Sequence, residues 1–114
     1  MKFQANVKTD GVVPQIWWAM GVADLLHQEM FNKELEVTSV NDSHEHNPKS
    51  LHHQGEAFDI RTRHMTSDFH LRFFKALKLR LDPRGFDTVD EGNHIHVEYQ
   101  PHTGDQPWVG NAED

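Results

Sequence analysis

Cysteine is absent from this chain of 114 residues. Disulfide bonds therefore cannot stabilise it, and any bound metal ion must be held by nitrogen and oxygen ligands. Long apolar runs are absent too, because no stretch approaches the ~18 consecutive apolar residues of a membrane span. The opening residues, Met1 to Asn6, lack the apolar core of a secretory signal. We therefore expect the chain to be made in the cytoplasm and to remain there at least initially.

Positive charge is scarce. The chain has 11 Lys and Arg against 18 Asp and Glu, which gives a formal net charge of −7. This balance argues against a nucleic-acid partner, because neutralising phosphates requires clustered Lys and Arg. Most of the basic residues lie between positions 61 and 84, which we interpret as a solvated helix face. We expect one monomeric domain over residues 1–114, with its core at about 11–100 and a C-terminal tail at 101–114.

Two segments have the periodicity of amphipathic helices. Pro14 suits the first turn of a helix, and apolar residues then recur at helical spacing to about Phe31. Thr66 or Ser67 is expected to cap a second helix, which Asp82-Pro83-Arg84-Gly85 ends. The residues that recur at helical spacing are Ile16, Met20, Ala23, His27 and Met30 in the first helix, and Leu71, Phe74, Leu77 and Leu81 in the second.

Strand signals separate and follow these helices. Strands are predicted at 35–40, 57–61, 86–89 and 94–99. The last two form a hairpin around the turn 90–93, where Gly92 can supply a positive φ. Polar residues at 41–48 predict a loop. The predicted fold class is α+β, a small antiparallel sheet packed against two helices.

Histidine is unusually frequent, with ten copies. His52 and Asp59 are seven positions apart, and the pair His94-Ile95-His96 follows downstream. Imidazole nitrogen and carboxylate oxygen are ligands that Zn²⁺ prefers, and three such ligands with a fourth position for water form a catalytic site. Six of the histidines fall in the two clusters His44, His46, His52, His53 and His94, His96, which is typical of a metal site; we expect the others to be surface or hydrogen-bonded residues.

The strand pattern predicts a polar surface beside this motif, because side chains alternate across a sheet with period two. One face is predicted to carry Ala57, Asp59 and Arg61 together with His94, His96 and Glu98. The core face is predicted to carry Phe58, Ile60, Ile95, Val97 and Tyr99. Any half-exposed sheet shows such alternation, so the pattern alone does not indicate a metal site. The position of His52, seven residues before Asp59, favours one.

Residues 50–59 carry the pattern Ser-x-His-x-x-Gly-x-Ala-x-Asp, and His-x-His follows at 94–96. This combination resembles the zinc D-alanyl-D-alanine carboxypeptidase and murein peptidase family, whose wider group includes lysostaphin-type endopeptidases and the hedgehog signalling domain. The likeness spans roughly residues 37–99. It implies a hedgehog/DD-peptidase-like fold and zinc-dependent hydrolysis of a peptide bond in the stem peptide of bacterial peptidoglycan, by either a carboxypeptidase or an endopeptidase. It also implies one Zn²⁺ per chain, held by His52, Asp59 and His96.

By the same resemblance, His94 lies beside the metal without ligating it and is the expected catalytic residue. It could accept the proton of the attacking water or, when protonated, stabilise the oxyanion. Relatives with Glu or Asp three residues before the last ligand use it as the general base, whereas this chain has Asn93. Proton transfer therefore falls to His94, or to Glu91 or Asp90 reaching in from the turn.

The remaining site residues have weaker assignments. Ser50 is expected to brace the loop or a ligand, and His46 to lie on the substrate side. Arg61 is expected either to bind a substrate carboxylate in bidentate fashion or to form a salt bridge with Glu98. Val40-Asn41-Asp42 stands where many relatives carry an Arg. So small a chain resembles phage-encoded, endolysin-like peptidases that reach the cell wall at lysis; the alternative is a non-catalytic, zinc-stabilised binding module of the same fold.

Overall fold

A mixed sheet forms one layer of the protein. A computed structural model describes residues 1–40 and 56–100, and within them the strands are β1 (Lys2–Phe3), β2 (Glu36–Val40), β3 (Ala57–Arg61), β4 (Phe86–Asp90) and β5 (His94–Tyr99). Their spatial order is β1-β2-β3-β5-β4. Strands β2, β3, β5 and β4 pair antiparallel as predicted, but β1 pairs parallel with β2. The prediction of an antiparallel sheet is therefore wrong at this edge, since a two-residue strand is too short to show alternation.

Two helices form the second layer, α1 (Pro14–Phe31) and α2 (Ser67–Leu81), which confirms both helix predictions. Pro14 lies in the first turn of α1, where its missing N–H costs no hydrogen bond. Asn32 ends this helix with a φ of 56°. The hydroxyl of Thr66 caps α2 by accepting a hydrogen bond of 3.3 Å from the Phe69 N–H. A short 3-10 turn, Asp82–Arg84, follows α2 at the predicted stop.

Both helices pack on the same face of the sheet and share one core with it. Helix α2 contributes Phe73, Leu77 and Leu81, which are fully buried and lie four positions apart on one side of the helix. Leu71, the first apolar residue of the predicted repeat in this helix, does not face the core, because its side chain is 49% exposed. It lies two positions before Phe73, about 200° around the helix. The fully buried residues of α1 are Ile16, Ala19, Met20, Ala23 and His27.

The other face of the sheet is polar. The side chains alternate as predicted along β5 and along β3 from Phe58 onward, since Phe58, Ile60, Ile95 and Val97 are completely buried. Ala57, which was predicted on the polar face, is completely buried as well. We use the name polar sheet face for the partly exposed side chains between them, which are Asp59, Arg61, His94, His96 and Glu98. Because the helices cover the opposite face, the predicted site must lie on this one. Among the described residues, no helix has the length and apolar character needed to cross a membrane.

Candidate functional site

The register of β3 against β5 brings the predicted site residues together. Asp59 pairs with His96, and Arg61 pairs with His94. Residues directly opposite each other on antiparallel strands have Cβ atoms roughly 5 Å apart, so their side chains meet on the same face. Two residues separated by 37 positions in sequence thus become direct neighbours.

The imidazole of His96 lies between two carboxylates. Its Nδ1 is 2.8 Å from Oδ1 of Asp59, and its Nε2 is 3.1 Å from Oε1 of Glu98. The three side chains are 18 to 19% exposed. Both ring nitrogens of His96 are therefore engaged, one with a residue of the neighbouring strand and one with a residue two positions along its own strand.

This environment changes the protonation of His96. Burial by itself lowers the pKa of the imidazole, but the hydrogen bonds to Asp59 and Glu98, together with their negative charges, raise it from 6.5 to about 9. Without a bound cation, His96 is therefore protonated at neutral pH and donates a hydrogen bond to each carboxylate. A metal ion that binds His96 must take the place of one of these protons.

The chemistry of these groups fits a zinc ion. Nδ1 of His96 and Oδ1 of Asp59 face each other, as two ligands of a shared cation do, and both are atoms that Zn²⁺ accepts. Glu98 holds the other ring nitrogen, and a carboxylate in that position commonly orients a metal-ligating histidine. Within residues 1–40 and 56–100, no group of three or more His, Cys, Asp or Glu side chains could hold a metal ion. The third predicted ligand, His52, lies outside those ranges.

His94 lies on the same face, two residues before His96. Its Nδ1 is 2.6 Å from Oδ1 of Asn93. The amide oxygen can only accept, so Nδ1 of His94 carries the proton and the lone pair of the neutral ring lies on Nε2. Asn93 is therefore the hydrogen-bond partner of the predicted catalytic histidine.

A surface cavity of about 390 Å³ opens beside Asp59 and His94. Its walls come from four parts of the chain, namely the end of β1, the middle of β2, the end of β3 and the start of β5. The other lining residues are Gln4, Thr38, Arg61, Arg63 and Asn93. The cavity is thus polar and of a size for a small peptide fragment, and it reaches the carboxylate that the sequence assigns to the metal.

Arg61 forms its salt bridge with a residue of β2, whereas the predicted partner, Glu98, is on β5. Its Nη1 is 3.3 Å from Oε1 of Glu36 on β2. The predicted salt bridge with Glu98 is wrong, because the register places Glu98 opposite Ala57, four residues from Arg61. Arg61 also lines the cavity, so its assignment to substrate remains a prediction.

The two acids of the β4–β5 turn lie in different places. Oδ1 of Asp90 accepts a 2.9 Å hydrogen bond from the N–H of Gly92 and lies 2.9 Å from Nε2 of His70 on α2. Asp90 pairs with Ile95, whose side chain is in the core, so the idea that Asp90 reaches the site does not fit this geometry. Glu91 is exposed and its N–H donates to the carbonyl of His94, which leaves its predicted role open.

Three of the predicted site residues, His46, Ser50 and His52, lie outside the described residues. Three other residues near the site have no predicted role. The approach of Glu36 to Arg61 depends on the pairing of β2 with β3, which no local pattern reveals. Arg63 continues the spacing of Asp59 and Arg61, and this alternation could have indicated it. Asn93 precedes His94 directly, but no sequence pattern shows that their side chains form a hydrogen bond.

No model of a known protein family matches the chain, and comparison with curated proteins finds no match either.

Proposed function

We propose that this chain is a zinc-dependent peptidase that hydrolyses a peptide bond in the stem peptide of bacterial peptidoglycan. The observation that carries the proposal is the 2.8 Å approach of His96 Nδ1 to Asp59 Oδ1 across β5 and β3, with His94 on the same face. The supporting motif is the Ser-x-His-x-x-Gly-x-Ala-x-Asp pattern at 50–59. The five-stranded sheet with two helices on one face is compatible with a hedgehog/DD-peptidase-like fold, which forms part of the proposal.

In this proposal Asp59 and His96, with His52, hold the zinc ion, and Glu98 fixes the ring of His96 through Nε2. When bound, zinc acts as a Lewis acid and lowers the pKa of a water molecule towards neutrality. Asn93 keeps the proton of His94 on Nδ1, so Nε2 can accept the proton of the attacking water. The same nitrogen can then return the proton to the leaving amine. The cavity beside these residues receives the peptide.

The proposed setting follows from the same resemblance. The chain is proposed to be made in the cytoplasm and released to the cell wall at lysis, in the manner of a phage endolysin. The rival function is a zinc-stabilised binding module of the same fold. What favours the enzyme is that His94 lies on the same face as Asp59 and His96, since a binding module needs no group for proton transfer there.

Digestion of purified peptidoglycan, with mass analysis of the soluble products, tests the proposal. Zinc-loaded protein should release fragments cut within the stem peptide, a chelator should stop their release, and added zinc should restore it. Glycan chains should remain uncut. If zinc-loaded protein binds the wall material and releases nothing, the enzymatic function is wrong and the binding module takes its place.

A further inference from the structure

Two arginines line the cavity beside His94. Arg61 and Arg63 face the same space as Asp59, which is the one acidic side chain among the described lining residues. The whole chain carries a net charge of −7, so this local excess of positive charge opposes the overall balance. A concave site lined by one sign of charge attracts ligands of the opposite sign. The cavity is therefore suited to an anionic group.

The two arginines are not equivalent. Nη1 of Arg61 is 3.3 Å from Oε1 of Glu36, so part of the positive charge of Arg61 is already balanced. Arg63 makes no hydrogen bond or ion pair with any residue in 1–40 or 56–100. Its guanidinium, with five N–H donors, is exposed and uncommitted within the part of the chain that the structure describes.

Asp59, the acid that lines the cavity, does not form an ion pair with Arg63 either. Oδ1 of Asp59 lies 2.8 Å from Nδ1 of His96, on the neighbouring strand. In the proposed function this carboxylate holds the metal ion and remains directed at His96. The uncommitted guanidinium thus lies in the same cavity as the reacting groups and lacks an internal carboxylate.

We propose that Arg63 binds the terminal carboxylate of the peptide substrate, beside the bond that is cut. A guanidinium binds a carboxylate through two parallel N–H···O hydrogen bonds, which fixes orientation as well as charge. Arg61, braced by Glu36, forms the wall of the cavity behind it. The inference rests on the proposed function and deepens it, because it selects peptides with a free C-terminal carboxylate and therefore the carboxypeptidase reaction over internal cleavage.

Isothermal titration of the full chain with acetyl-Lys-D-Ala-D-Ala and with its C-terminal amide tests this inference, with zinc and again after chelation. Wild-type protein should bind the acid at least about tenfold more tightly than the amide, a difference of ~1.4 kcal/mol. Arg63→Gln should remove this preference by weakening the acid alone. Arg72→Gln is the matched control, because Arg72 is an exposed arginine on α2 that pairs with Asp68; it should bind both peptides as wild type does.

The outcomes separate this inference from the proposed function. If the protein binds the acid more tightly than the amide through Arg63 but cleaves neither peptide, the inference is supported and the proposed peptidase function is wrong. Cleavage with equal affinity for acid and amide supports the peptidase and overturns the inference. The inference is also overturned if Arg63→Gln keeps the acid preference, or if neither peptide binds.

Discussion

Replacing Glu98 with Gln should lower the pKa of His96 in the metal-free protein. Two carboxylates hold this imidazole, Asp59 at 2.8 Å from Nδ1 and Glu98 at 3.1 Å from Nε2, and together they raise its pKa from 6.5 to about 9. Glutamine keeps the shape and the hydrogen-bonding oxygen of the side chain but removes its charge. We expect the pKa of His96 in Glu98→Gln to fall between 6.5 and the wild-type value.

The same change should alter how stability depends on pH. Since the pKa of His96 is higher in the folded than in the unfolded chain, its stabilising contribution is fully present below pH 6.5 and is lost as the pH rises through about 9. The raised pKa corresponds to roughly 3 kcal/mol at most. Solvent screening at this partly exposed site reduces the contribution to about 1–2 kcal/mol. Glu98→Gln should lose about half of it.

Proton NMR titration of His96 and urea denaturation at pH 6.5 and 9, both in the presence of a chelator, measure these quantities. Subtracting the free energy of unfolding of the variant from that of wild type at each pH removes the contribution of groups that titrate alike in both proteins. Glu91→Gln is the matched control, because Glu91 is an exposed acid of the same hairpin whose N–H bonds to His94. The reasoning is refuted if His96 of wild type titrates near 6.5, or if Glu98→Gln and Glu91→Gln leave its pKa equally unchanged.

Three further predictions follow from individual contacts. His94→Ala should keep its zinc and its fold while hydrolysis of a stem-peptide substrate falls by about 10²–10⁴; a loss below tenfold in steady-state assays would remove His94 from proton transfer. Leu77→Ala, at a fully buried position, should lower the free energy of unfolding by about 2–5 kcal/mol in urea denaturation. Leu79→Ala is the control, because Leu79 is 76% exposed, and it should change this free energy by no more than about 0.5 kcal/mol. Equal losses in the two variants would contradict the packing of α2. Arg61→Lys should cost at most about 1 kcal/mol, since its partner Glu36 is only partly buried, and a larger loss by the same measurement would show that Arg61 has a deeper structural role.

The local elements were predictable because each follows from signals within a few residues. Pro14 marks the start of α1, and the strand predicted at 57–61 has the same bounds as β3. The faces of β3 and β5 follow from the same alternation, so the sequence places Asp59 and His96 on one side of the sheet. Those two residues then become direct neighbours once the strands pair.

The rest depends on contacts between distant parts of the chain. The parallel pairing of β1 with β2 and the register shift between Val37 and Ser39 leave no local pattern. The pairing of β2 with β3 decides that Arg61 contacts Glu36 and not Glu98. Leu71 has an apolar side chain at helical spacing, and it is nevertheless exposed. The side of α2 that packs on the sheet carries Phe73, Leu77 and Leu81 instead. The sequence pattern therefore identifies candidate site residues, and the strand register decides which partner each side chain has.

The location of the zinc ion is the most direct test of the central claim, and anomalous diffraction at the zinc absorption edge from crystals of zinc-loaded protein measures it. One peak per chain should lie about 2.0–2.2 Å from a ring nitrogen of His96 and from a carboxylate oxygen of Asp59, with His52 as the third ligand. Crystals of Asp59→Ala should lack the peak. A zinc peak away from the polar sheet face, or no peak in crystals of zinc-loaded wild type, would contradict the account.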